Sequence, residues 1–60
     1  MGGHMKNNTT IISIYQQGSS FVGFNNEDEI VMLYSIADPV LKAKTVLQWT
    51  EEGRFKGLLA

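Results

Sequence analysis

The stretch Lys42–Ala60, KAKTVLQWTEEGRFKGLLA, decides the fold class of this 60-residue chain. It is compatible with a helix that begins at Asp38-Pro39, because aspartate caps helix N-termini and proline fits the first helical position. It is also compatible with a β-hairpin that turns at residues 51–53, EEG, where glycine can adopt a left-handed conformation. The two alternatives imply different fold classes.

The distribution of charge argues against the helix. Lys42 and Lys44 would lie in its first turns, and Glu51 and Glu52 in its last turn. Both pairs oppose the helix dipole, which favours acidic residues at the N-terminus and basic residues at the C-terminus. The apolar residues of the segment also scatter around a helical wheel instead of forming one stripe.

As a strand, the same segment separates into two alternating faces. A turn at residues 51–53 places Thr50 opposite Arg54 and Trp49 opposite Phe55. The aromatic pair would add about 0.2–1 kcal/mol of cross-strand stabilisation. A slip of one residue would put Trp49 opposite a charged residue instead. The sequence therefore favours the hairpin, with a helix over residues 39–52 as the alternative.

Three earlier segments also have the composition of strands. They are residues 9–15 (TTIISIY), 21–24 (FVGF) and 29–37 (EIVMLYSIA). The third could instead be a helix capped by Asn26, with three acidic residues in its first turn. Turn signals near residues 18, 26, 38 and 52 are spaced as in a β-meander.

We therefore predict an all-β domain of about five antiparallel strands, folded as a small SH3-like barrel or a meander sheet. The alternative is an α+β fold, with an N-terminal β-hairpin or sheet and a helix at residues 39–52. Residues 29–37 carry apolar side chains on both faces, and such a strand needs cover on both sides. Because one sheet of this size cannot cover both of its own faces, either it curls into a small barrel that keeps some apolar surface outside or another subunit covers it. We expect self-association, with a homodimer as the simplest form.

Composition excludes several classes of function. Residues 1–5, MGGHM, look like a cloning remnant and hold the only histidine, which leaves residues 6–60 as one small domain without histidine or cysteine. We therefore expect no enzyme activity, cofactor or metal site. The net charge of −1 disfavours a nucleic-acid partner, and no apolar run approaches the roughly 20 residues of a membrane span. The predicted location is the cytoplasm.

The candidate binding residues are aromatic or basic. Phe21 and Phe24 point in different directions on one short strand, so one of them is expected at the surface. The predicted hairpin gathers four basic residues on its outer face: Lys42, Lys44, Arg54 and Lys56.

Three functions are compatible with these residues. The favoured one is a protein-interaction or assembly module that associates through apolar sheet surface. The second is a single-stranded nucleic-acid-binding module that uses the Lys/Arg face. The third is an acidic inhibitor of a basic protein, presenting residues 27–29.

Overall fold

The computed structural model describes residues 8–59, which form a four-stranded mixed sheet and one helix. The predictions for residues 1–5 lie outside the described part of the chain. In chain order the elements are β1 (Ser13–Gln17), β2 (Ser20–Phe24), β3 (Ile30–Ser35), α1 (Pro39–Glu51) and β4 (Phe55–Leu58). The strand order is β3-β2-β1-β4, with β1 and β4 parallel and the other neighbours antiparallel.

The predicted all-β fold is therefore wrong, both as a barrel and as a five-stranded meander. The fold is α+β, and the alternative with a helix at residues 39–52 describes it. Because β1 and β3 are both antiparallel to β2, they run in the same direction, and β4 joins them as a third strand of that direction. Helix α1 thus connects two parallel strands across the width of the sheet.

The N-terminal end of α1 carries the start signal that the sequence shows. Asp38 is the N-cap, and its Oδ1 accepts a hydrogen bond from the backbone N–H of Val40 at 3.0 Å. Pro39 occupies the first helical position. An N-cap of this kind is worth about 1 kcal/mol.

The segment interpreted as a hairpin turn is the C-terminal cap of α1. Gly53 adopts φ +78°, its N–H donates to the carbonyl of Thr50 at 3.0 Å, and the N–H of Arg54 donates to the carbonyl of Trp49 at 2.9 Å. These two bonds are those of a Schellman motif, in which a left-handed glycine ends the helix. A hairpin turn and this cap both require glycine at the same position, so the glycine alone could not separate them.

The charge argument against the helix fails because the charges are weakly coupled to the dipole. Lys44, Glu51 and Glu52 are exposed, and Lys42 is half-buried. A dipole contribution at such positions is about 0.3–1 kcal/mol and is screened by salt. The predicted cross-strand pair of Trp49 and Phe55 does not form, and both side chains pack on the core from different elements.

The core lies between α1 and one face of the sheet. The register pairs Ile14 with Gly23 and Phe21 with Tyr34, which places these residues on the helix-facing side. Ile14, Phe21 and Ile36 are buried there, and the flanking side chains that pack on them are Ile11, Met32, Val46, Trp49 and Phe55. Phe21 holds the layers together through edge contacts with the rings of Trp49 (5.1 Å) and Phe55 (6.4 Å).

A buried asparagine organises the loop between β2 and β3. Asn25 is 1% exposed, and its Oδ1 accepts from the backbone N–H groups of Glu27 (2.8 Å) and Glu29 (3.0 Å). Its Nδ2 donates to the carbonyl of Asn8 (2.8 Å) and to Oε1 of Glu29 (3.0 Å). One side chain thus satisfies two donors and two acceptors, and it ties the start of β3 to the chain before β1.

Candidate interaction surface

The second face of the sheet is not covered by any described element, because the helix packs on the other face. Tyr15, Val22 and Leu33 are neighbours on this open face, since Tyr15 pairs with Val22 and Val22 pairs with Leu33. Phe24 lies on the same face and meets Tyr15 edge to face at 5.8 Å. On the central strand β2, Val22 is 3% exposed, whereas Leu33 on the edge strand is 76% exposed.

A shallow pocket of about 290 Å³ lies at one end of the open face. Its lining combines the Tyr15–Phe24 pair with Ser13, Asp28 and Leu59. One carboxylate beside two aromatic rings offers contact to an amine or a basic side chain, but it does not supply the acid and base pair of a hydrolase. Within residues 8–59, no group of histidine, cysteine or acidic side chains could hold a metal ion.

Phe21 and Phe24 occupy opposite faces, as their spacing predicts. Phe21 is fully buried under the helix and cannot touch a partner in the folded protein. Phe24 is half-buried on the open face and lines the shallow pocket. Of the two aromatic candidates, only Phe24 is on an accessible surface.

The predicted basic strand face does not exist, because its residues belong to a helix and a strand. Lys42 and Lys44 are two positions apart on α1, so they project about 200° apart around the helix axis. Arg54 forms an exposed ion pair with Glu52 at 3.4 Å, and Nζ of Lys56 donates to the carbonyl of Gly53 at 3.2 Å. The structure therefore removes the shared face on which a nucleic-acid site was predicted.

The acidic residues 27–29 form the tip of the Asn25 loop. The backbone N–H groups of Glu27 and Glu29 bind Oδ1 of Asn25, and Asp28 has a left-handed backbone with φ +61°. The carboxylate of Glu29 is itself bound by the Asn25 amide. These bonds explain the segment as an ordered connection between two strands.

The two edge strands of the sheet differ in how they are protected. Strand β4 has four residues. Lys56 is an extra residue in its pairing with β1 and shifts the register, so the strand carries both a charge and an irregularity at its middle. In β3, IVMLYS, there is neither charge nor proline, and the one extra residue, Val31, lies near the start. Residues 32–35 of β3 are regular and present an unprotected edge.

The helix also has a second apolar side that the sequence analysis did not identify. Val46 and Trp49 pack on the core, while Val40 and Leu47 lie on the opposite side and are exposed. This arrangement is the reason for the scatter on the helical wheel: two apolar sides were present, and only one is covered. Counting the apolar residues separately on each side of the helical wheel could have revealed this second side.

Comparisons of the chain with protein-family models, with curated proteins and with solved structures found no match. Among residues 8–59, the one helix is too short and too polar to cross a bilayer. The functional assignment consequently depends on the surfaces described above.

Proposed function

We propose that this protein is a small protein-interaction module that assembles with further copies of itself. The observation that carries the proposal is the imbalance between its core and its apolar surface. Among the described residues, four hydrophobic side chains are buried: Ile14, Phe21, Val22 and Ile36. Eight large hydrophobic side chains are exposed: Ile12, Ile30, Leu33, Tyr34, Val40, Leu41, Leu47 and Leu58.

The energies involved favour association. Natural domains have a free energy of unfolding of about 0.05–0.15 kcal/mol per residue, which amounts to roughly 3–8 kcal/mol for a chain of this size. Burying one Leu, Ile or Val side chain contributes about 1.5–3 kcal/mol. An interface that covered two or three of these side chains on each copy would therefore contribute about 6–18 kcal/mol, against a cost of about 4–15 kcal/mol for the lost freedom of two molecules.

Strand β3, at the edge of the open sheet face, supplies three of these eight exposed side chains. Ile30, Leu33 and Tyr34 come from the same strand, and Tyr15 and Phe24 continue the apolar area toward the centre. The proposal assigns no catalytic step, metal or cofactor to the chain. The cytoplasmic location stays a prediction from composition.

Sedimentation equilibrium from micromolar to millimolar concentration tests the proposal. The expected result is a mass that rises from about 6.7 kDa toward at least twice that value. Thermal unfolding should shift upward with concentration, because association stabilises only the folded state. A well-folded monomer at the highest concentration would contradict the proposed function.

A further inference from the structure

We propose that strand β3 is the contact between two copies, and that β3 of one copy pairs antiparallel with β3 of the other. The product would be one continuous eight-stranded sheet with a two-fold axis perpendicular to it. This inference rests on the proposed function and names the surface and the partner: the edge of β3, and a second copy of this chain.

Unpaired main-chain groups are the first argument. β3 is hydrogen-bonded to β2 on one side only, and no described strand lies on its other side. An edge strand presents a row of N–H and C=O groups that can pair with another strand. Soluble proteins usually block such an edge with a charge, a proline or a bulge, and residues 32–35 have none of these.

Two-fold symmetry selects the register. In an antiparallel pair, directly opposite residues share a face, so a symmetric dimer must place some residue opposite its own copy. A centre at Leu33 uses the regular part of β3 and pairs Met32 with Tyr34 of the second copy. A centre at Met32 would place the extra residue Val31 next to the axis, opposite Leu33, whereas the Leu33 centre places it farther from the axis, opposite Ser35. The Leu33 centre is therefore favoured.

The side chains fit this register. Leu33 is 76% exposed, and the axis would bring it against its own copy on the open face. On the other face, the sulfur of Met32 would meet the ring of Tyr34, a contact that is favourable in proteins. Strand β3 contains no charged residue, so the two-fold symmetry places no like charges opposite each other in the paired strands.

A second copy suits this edge better than an unrelated strand does. Because both faces of β3 are apolar, its partner strand must be apolar on both faces as well. Among the described strands, β1 contains Gln16 and Gln17 and β4 contains Lys56, while the apolar strand β2 is already paired on both sides, so β3 is the one available strand that meets this requirement. Both helices would then lie on the same side of the joined sheet.

Charge exchange at Leu33 is the decisive test, read out by sedimentation equilibrium. At the two-fold axis, Leu33→Lys places two ammonium groups opposite each other, and Leu33→Glu places two carboxylates there. Each variant alone should dimerise at least about tenfold more weakly than the parent, since one tenfold change needs only 1.4 kcal/mol. An equimolar mixture of the two variants should recover dimers, because opposite charges then meet.

Two control variants separate the edge from other surfaces. Leu58→Lys introduces the same charge at a position that is also 76% exposed, but on β4. Gln17→Lys introduces it on the open face, on β1 and away from the β3 edge. Both should dimerise like the parent. A dimer weakened by Gln17→Lys as much as by Leu33→Lys would indicate stacking of open faces and would overturn the strand pairing.

Cross-linking gives an independent measurement, because the chain has no cysteine of its own. Opposite residues of antiparallel strands have Cα atoms about 4.5–5.5 Å apart, within the range of a disulfide. Leu33→Cys should therefore form a covalent dimer under mild oxidation, and Leu58→Cys should not. Circular dichroism of each reduced variant checks that the fold is intact.

The outcomes distinguish this inference from the proposed function. If the parent dimerises while Leu33→Cys does not cross-link and the charge variants dimerise normally, the strand pairing is wrong and self-assembly stands. If the parent remains monomeric, both proposals fail. Recovery of dimers in the mixed charge variants supports the pairing, and it cannot result from misfolding of either chain.

Discussion

The two edge strands of the four-stranded sheet, β3 and β4, differ in length, charge and regularity. β4 is four residues long, and its middle is occupied by a lysine and a register shift. β3 is six residues long, uncharged, and regular over residues 32–35. Since a protected edge discourages pairing and an unprotected one permits it, the comparison indicates that only one end of the sheet is available for assembly.

The two edges also depend on different anchors within the chain. β3 begins directly after the loop that Asn25 organises through four hydrogen bonds. β4 begins directly after the helix cap at Gly53. Phe21 lies between them and contacts residues that belong to both sides. Substitutions at these three positions should show how each edge depends on its anchor. The expected loss of stability decreases from Phe21 through Asn25 to Gly53.

Phe21→Ala should loosen both edges together. The ring is fully buried and contacts Trp49 and Phe55, and it pairs across strands with Tyr34. Removing such a side chain typically costs about 3–5 kcal/mol, which is most of the stability expected of this chain. Urea unfolding should show a largely unfolded protein. Phe21→Leu, a milder change, should remain folded with a reduced midpoint.

Asn25→Ala should weaken the β3 edge selectively. The substitution leaves the N–H groups of Glu27 and Glu29 without the acceptor that the buried Asn25 side chain supplies, and we expect this loss to cost about 1–3 kcal/mol in total. We expect a loss in that range in urea unfolding, together with weaker dimerisation. Asn26→Ala is the matched control, because Asn26 is exposed in the same loop and its side chain makes one exposed hydrogen bond, accepted from the amide of Asn8. Equal effects at both positions would contradict the role of Asn25 as the anchor of this loop.

Gly53→Ala should weaken the β4 edge and leave dimerisation unchanged. At φ +78° a Cβ atom is strained by about 1–2 kcal/mol, although nothing lies within 4 Å of it. The expected result is a loss of stability of that size, with the dimer dissociation constant changed only through the folded fraction. Thr50→Ala serves as the neighbouring control, since Thr50 is exposed and helical. If Gly53→Ala weakened dimerisation more than the loss of folded protein explains, β4 would be part of the contact.

Lys56→Val should have the smallest effect, and it examines how β4 is protected. Lys56 is exposed, so the substitution should change the free energy of unfolding by no more than about 0.5 kcal/mol. It removes the charge but keeps the register shift and the short length of the strand. We expect no species larger than the parent's in sedimentation. The appearance of longer assemblies would show that the charge alone keeps this edge closed.

The limits of the sequence prediction follow from the same comparison. The boundaries near residues 18, 38 and 52 were predicted, because Gly18, Asp38-Pro39 and Gly53 act locally on the backbone. The type of the element after Pro39 was wrong, because a helix with two apolar sides and a strand with two faces give similar composition. Edge positions were out of reach. They depend on the parallel pairing of β1 with β4, a contact between residues some 40 positions apart.

The candidate surface was predicted only in part. Apolar side chains on both faces of residues 29–37 pointed to self-association, which stays a proposal. The four basic residues were grouped on the hairpin that does not form. Nothing in the local pattern of Ile30–Ser35 shows that the strand ends a sheet, since a central strand covered on both faces would have the same composition.

Amide hydrogen exchange along β3 and β4, measured by NMR at low and at high protein concentration, tests the edge assignment most directly. In an edge strand, about half of the amides point away from the sheet and exchange readily when unpaired. The account predicts that outward amides within residues 32–35 slow at least about tenfold where the dimer dominates, while those of β4 do not change. Dimers that form without slowing in β3, or with slowing in β4 instead, would contradict it.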